Sequence, residues 1–117
     1  MADTYERDYR EAREKLEKFK QQTNDLNNAK QSGTSTKKHI YFLTATNNTL
    51  AVNMKNLERC QYQYENHSSD YSHLSEKQRK QRVSDITLLN EQYKTLSSTY
   101  ADATNANSSS SHVDLEA

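Results

Sequence analysis

Between Tyr5 and Leu26 the side chains Tyr5, Tyr9, Ala12, Leu16, Phe19, Thr23 and Leu26 recur at alternating steps of four and three. At 3.6 residues per turn this spacing gathers them into one stripe along a helix, and such a stripe must be buried against a partner. Between them lie Glu6, Asp8, Arg10, Glu11, Arg13, Glu14, Lys15, Glu17, Lys18 and Lys20, which read as a solvated face with acids early and bases late. That order suits the helix dipole. The first helix is predicted over residues 4–28, capped by Asp3 or Thr4.

Two further seams supply the partners. The second helix, residues 36–66, carries Ile40, Leu43, Asn47, Leu50, Met54, Leu57, Gln61 and Tyr64, with Phe42, Ala45 and Val52 read as widening the stripe. Asn47 and Gln61 either sit at the core edge, the preferred reading, or hydrogen-bond across it. The third helix, residues 75–104, carries Ile86, Leu89, Tyr93, Leu96, Tyr100 and Ala103. Ser75 followed by Gln78 is a capping-box start. Polar runs around Gly33 and from Asn66 to Leu74 read as loops. Residues 105–117, opening on an Asn/Ser-rich run, are expected to be a flexible tail or linker, and Leu115-Glu116 reads as a cloning remnant.

A chain of 117 residues suits one folding unit, residues 1–104. It has no Pro and one Gly, so little interrupts a helix and the fold class is all-α. Leu, Ile, Val and Phe number only 17, a supply that raises disorder as the alternative, but 16 basic and 16 acidic residues cancel and leave no net repulsion. Eight Tyr residues add ring area. The expected architecture is an antiparallel up-down-up three-helix bundle with left-handed twist and crossing angles of about 20°. In that register Lys77, Arg79, Lys80 and Arg82 would lie beside Glu6, Asp8, Glu11 and Glu14.

Charge balance removes the simplest argument for nucleic-acid binding. One cysteine, Cys60, forms no internal disulfide, and no apolar leader or membrane-spanning run is present, so a reducing, cytosolic setting is expected. The sequons at Asn47, Asn66 and Asn107 are then not expected to be glycosylated. Cys60, His67 and His73 match no zinc spacing. No nucleophile, base and orienting group occur together, and no phosphate-cradling loop is possible with one glycine, so the chain is not expected to be an enzyme. No catalytic, cofactor-binding or metal-ligating residue is named, and partner-binding residues stay unassigned. Tyr5, Tyr9, Tyr62 and Tyr64 are expected to meet at one end of the bundle, as core filling or as a partner-binding patch.

Three stretches resemble a known family. Tyr5-Glu6-Arg7-Asp8-Tyr9-Arg10-Glu11-Ala12, the Leu50 to Leu57 seam, and Leu74-Ser75-Glu76-Lys77 with Arg79, Arg82, Ile86 and Leu89 are similar to the N-terminal regulatory (Habc-like) three-helix domain of SNARE proteins. The likeness is greatest to Qc-SNAREs of the syntaxin 8 and plant syntaxin 51 type, and the third helix also resembles Qb-SNAREs of the membrin and Vti kinds. The resemblance implies a parent protein that continues into a SNARE helix and a membrane anchor, neither of which lies in this chain. It implies a role in vesicle-membrane fusion and endosomal or Golgi trafficking, on the cytoplasmic face, with this fragment soluble and monomeric. Partners would be other SNAREs, tethers, trafficking adaptors or the domain's own SNARE helix.

Two other classes stand beside it. One is a lipid-surface module using Lys37, Lys38 and the Lys77 to Arg82 run. The other is a spectrin-like or coiled-coil structural segment.

Overall fold

A computed structural model describes the backbone of residues 4–113 and the side chains of residues 4–102 and 104. Helices α1 (Tyr5–Ser32), α2 (Lys37–Asn66) and α3 (Glu76–Val113) account for most of it, with one 3₁₀ turn at Ser68–Tyr71. No strand occurs among the described residues. The shape is a slim helical bundle of 58 × 20 × 19 Å.

The seams form the core. Phe19, Leu26, Leu43, Leu50, Leu57 and Ile86 are all but fully buried, and Ala12, Leu16, Met54, Tyr64 and Leu89 join them. Each fully buried Leu, Ile or Phe contributes about 1.5–3 kcal/mol of transfer free energy. The inter-helix contacts fix positions along the axis. Tyr5 meets Tyr64 with ring centroids 6.2 Å apart, while the Arg82 guanidinium lies 4.3 Å from the Tyr5 ring centre. Farther along, Phe19 meets Tyr100 at 5.8 Å, and the Tyr100 hydroxyl shares a 2.8 Å hydrogen bond with Thr44.

Several boundaries differ from the sequence reading. α1 runs to Ser32 rather than residue 28, because Asn and Ala do not break a helix and the break waits for Gly33. Gly33 adopts φ 74°, and Gly33 N–H and Thr34 N–H donate to Lys30 O and Ala29 O, the paired bonds of a Schellman ending. α2 begins at Lys37 after Thr36, and α1 after Thr4, in both cases without a side-chain cap bond. Asp3 lies outside the described residues. At α3 the capping box does form: Gln78 N–H donates to Ser75 Oγ at 3.1 Å, and Ser75 N–H donates to Gln78 Oε1 at 2.8 Å.

α3 continues to Val113, through the Asn/Ser stretch read as a flexible tail. Asn and Ser are poor helix formers, but without Gly or Pro nothing terminates the helix. Residues 114–117, including Leu115-Glu116, lie outside the described residues.

Three side chains read as widening the α2 stripe face outward instead: Phe42, Ala45 and Val52 are exposed. A helix with two neighbours in a slim bundle buries little beyond its central stripe. The loop after α2 contributes core residues not foreseen, Tyr71 and Leu74. Tyr71 packs edge-on against Tyr64 at 5.0 Å.

Candidate partner-binding site

The buried polar groups show how α1 meets α2. Asp8, read from sequence as part of a solvated face, is 1% exposed. Its position adjoins the seam residue Tyr9, so the helix turns it toward α2. There Asn53 Nδ2 donates to Asp8 Oδ1 at 2.7 Å and to Glu11 Oε1 at 3.0 Å, and Asn56 Nδ2 donates to Asp8 Oδ1 at 3.3 Å. Lys15 Nζ donates to Asn53 Oδ1 at 2.6 Å. Burial raises the Asp8 pKa, but hydrogen bonds from Thr4, Asn53 and Asn56, with the Arg7 charge, outweigh it and hold the carboxyl below its ordinary value. The network closes the α1–α2 seam and fixes its register.

Asp8 was expected to face the basic start of α3, and that pairing does not form because the carboxylate is engaged by α2. The basic run turns inward by other means. Arg79 donates to Leu74 O at 2.6 Å, and Arg82 donates to the Tyr64 hydroxyl at 2.8 Å while covering the Tyr5 ring. Lys80 pairs with Glu76 on its own helix at 3.6 Å. The run therefore spends its two arginines on the aromatic end of the fold rather than presenting a row of cations.

That aromatic end assembles most of the expected tyrosines. Tyr5 and Tyr64 are core residues, Tyr9 stacks on Tyr5 at 5.4 Å, and Tyr71 completes the group. Tyr62 is not part of it; it is exposed and sits against His67 at 5.8 Å. Burial, with the negative field of Asp85 and Tyr9 against the positive one of Arg82, pushes the Tyr5 hydroxyl up to about 12. The cluster is core filling with a half-buried edge at Tyr9.

Beside that edge opens a groove of about 980 Å³ between α1 and α3. Tyr9, Leu16 and Leu89 line it among mostly polar neighbours, and Leu88, also in the lining, is 57% exposed. Acids Glu6, Glu14, Glu17 and Asp85 and bases Arg10, Arg13 and Lys20 rim it. The groove thus combines a few apolar side chains with seven charged ones contributed by two helices.

Of the polar seam residues, Gln61 is half-buried and bonds across to α3, donating to Thr87 Oγ1 at 2.8 Å. Asn47 is half-buried with its Oδ1 lacking a hydrogen-bond partner among the described residues. Cys60 is buried, whereas His67 and His73 are exposed near the turn after α2. Among the described residues no group of His, Cys, Asp or Glu comes together that could hold a metal ion, and no helix is long and apolar enough to cross a membrane. Compared with protein-family models, with curated proteins and with solved structures, the chain matches none.

Proposed function

We propose that the chain is the N-terminal regulatory domain of a SNARE, a non-enzymatic protein-interaction module acting in vesicle-membrane fusion on the cytoplasmic face of endosomal or Golgi membranes. Its fold is then an antiparallel up-down-up bundle with left-handed twist. The contacts of Tyr5 with Tyr64 and Arg82 at one end, and of Tyr100 with Phe19 and Thr44 farther along, support that order.

The observation that carries the interaction role is the α1–α3 groove, where Leu88 stands exposed among charged side chains of both helices. A docked helix would cover Leu88 and the half-buried Tyr9 and set its charges against the mixed rim. The partners that suit it are amphipathic helices of SNAREs, tethers or trafficking adaptors.

Two measurements test the reading. Sequencing the reading frame around this chain should reveal SNARE-type heptads with a central polar layer followed by an apolar segment; a frame without them sinks the SNARE assignment. Proximity labelling in cells should recover trafficking proteins with the native chain and lose them with Leu88→Glu, while circular dichroism stays unchanged. Identical recovery from the variant would remove the groove as the binding site.

A further inference from the structure

The exposed apolar side chains are unevenly placed. Among the described residues the large exposed hydrophobics are Tyr41, Phe42, Val52, Tyr62 and Leu88, and all but Leu88 stand on α2. They follow a rule. From Tyr41 the steps to Ala45, Asn48, Val52, Lys55 and Arg59 alternate between four and three, and the next step reaches Tyr62. This column trails the core residues Leu43, Leu50 and Leu57 by two positions, about 200° around the helix, so α2 bears a second seam on the side away from the core.

The column is cationic as well as apolar. Lys55 and Arg59 occupy it and Lys37 and Lys38 precede it, all exposed, and none of the four makes an ion pair among the described residues. The two acids of α2, Glu58 and Glu65, flank only the C-terminal end of the column, about 40° and 60° around the helix from Tyr62, so the four bases leave this face net positive. An anionic occupant is therefore selected by charge.

We infer that the outer face of α2 docks an acidic amphipathic helix from a partner protein, separately from the α1–α3 groove. That helix would set apolar knobs against Tyr41, Ala45 and Val52 and carboxylates against Lys55 and Arg59. A helix is favoured over an anionic bilayer by the arrangement itself. Interfacial helices separate a broad apolar strip from flanking cations, whereas here apolar, polar and cationic positions share one narrow column with Asn48 in its middle. From Tyr41 to Tyr62 the column is about 32 Å long, enough for roughly three heptads of contact.

The probe is a synthetic peptide of about four heptads with Leu at a and d and Glu at e and g, titrated into the full isotope-labelled chain by amide NMR. Expected are saturable shifts along the outer face of α2, at least tenfold weaker binding to Lys55→Glu/Arg59→Glu with an unchanged circular dichroism spectrum, and recovery when the peptide carries Lys in place of Glu. Binding indifferent to the charge reversal would overturn the inference. So would shifts confined to the groove around Leu88, or cosedimentation with phosphatidylserine vesicles that the charge reversal abolishes while the peptide fails to bind. Loss of peptide binding in Leu88→Glu alone would assign the peptide to the groove and leave the α2 face without its occupant.

Discussion

Helix α1 is closed on one side and open on the other. Toward α2 it is sealed by Leu contacts and by the Asp8, Asn53, Asn56 and Lys15 hydrogen bonds, which tolerate no slip of register. Toward α3 it holds on at Tyr5 through Arg82 and at Phe19 through Tyr100, with a groove between. Among its described residues α3 buries only Ile86 and Leu89, leaving Tyr93, Leu96 and Tyr100 half-buried. The difference separates two sides of one helix: toward α2 polar and apolar contacts fix the register, and toward α3 a groove stays open.

Truncating one core side chain on each side tests that division first. Leu50→Ala, at a fully buried α2 position, should cost about 2–5 kcal/mol in urea unfolding, and Leu96→Ala on α3 about 1 kcal/mol. Equal losses would erase the distinction. Next in size is Asp8→Ala, expected to cost about 1–3 kcal/mol at neutral pH by removing the acceptor shared by Asn53 and Asn56. Since the folded Asp8 pKa lies below its ordinary 3.8, its contribution is complete above that value and is lost as the pH falls through the folded pKa. Stability against acid should consequently fall more steeply in the native chain than in Asp8→Ala.

At the opposite end of the pH scale Tyr5 probes the point where all three helices meet. Its folded pKa of about 12 exceeds the ordinary 10.0, so its neutral hydroxyl favours folding fully below pH 10 and that contribution is lost as the pH rises toward 12. Tyr5→Phe should flatten the alkaline loss of stability. The smallest effect belongs to the exposed cap of α3: Ser75→Ala should cost about 1 kcal/mol, read as earlier amide exchange in the first turn of α3 with α1 and α2 unchanged.

The bundle was legible because its seams are periodic. Leu16, Phe19 and Leu26 on α1, Leu43, Leu50 and Leu57 on α2, and Ile86 and Leu89 on α3 occupy the core positions that spacing assigns. Asp8 was not legible. Among the twelve other charged residues of α1 nothing marks it apart, and its meaning rests on Asn53, a residue 45 positions away. Tyr71 and Leu74 were available as apolar residues inside a polar loop, a signal that periodicity ignores because it needs several turns to register. Phe42 and Val52 failed for the opposite reason: hydrophobicity was read as burial, whereas a helix in a slim bundle can carry apolar residues on two faces. The α1–α3 groove is a property of spacing between helices, and sequence periodicity carries no such distance.

Cys60 turns this asymmetry into something that can be timed. It is the chain's one thiol, buried on α2 in the core that Tyr5 and Tyr64 share. A buried thiol reacts with an alkylating reagent only when its surroundings open. The molecule thus carries a built-in clock at its aromatic end, and the rate at which Cys60 is modified counts how often α2 parts from its neighbours there. Any ligand that braces this end should slow the clock without touching the sulfur.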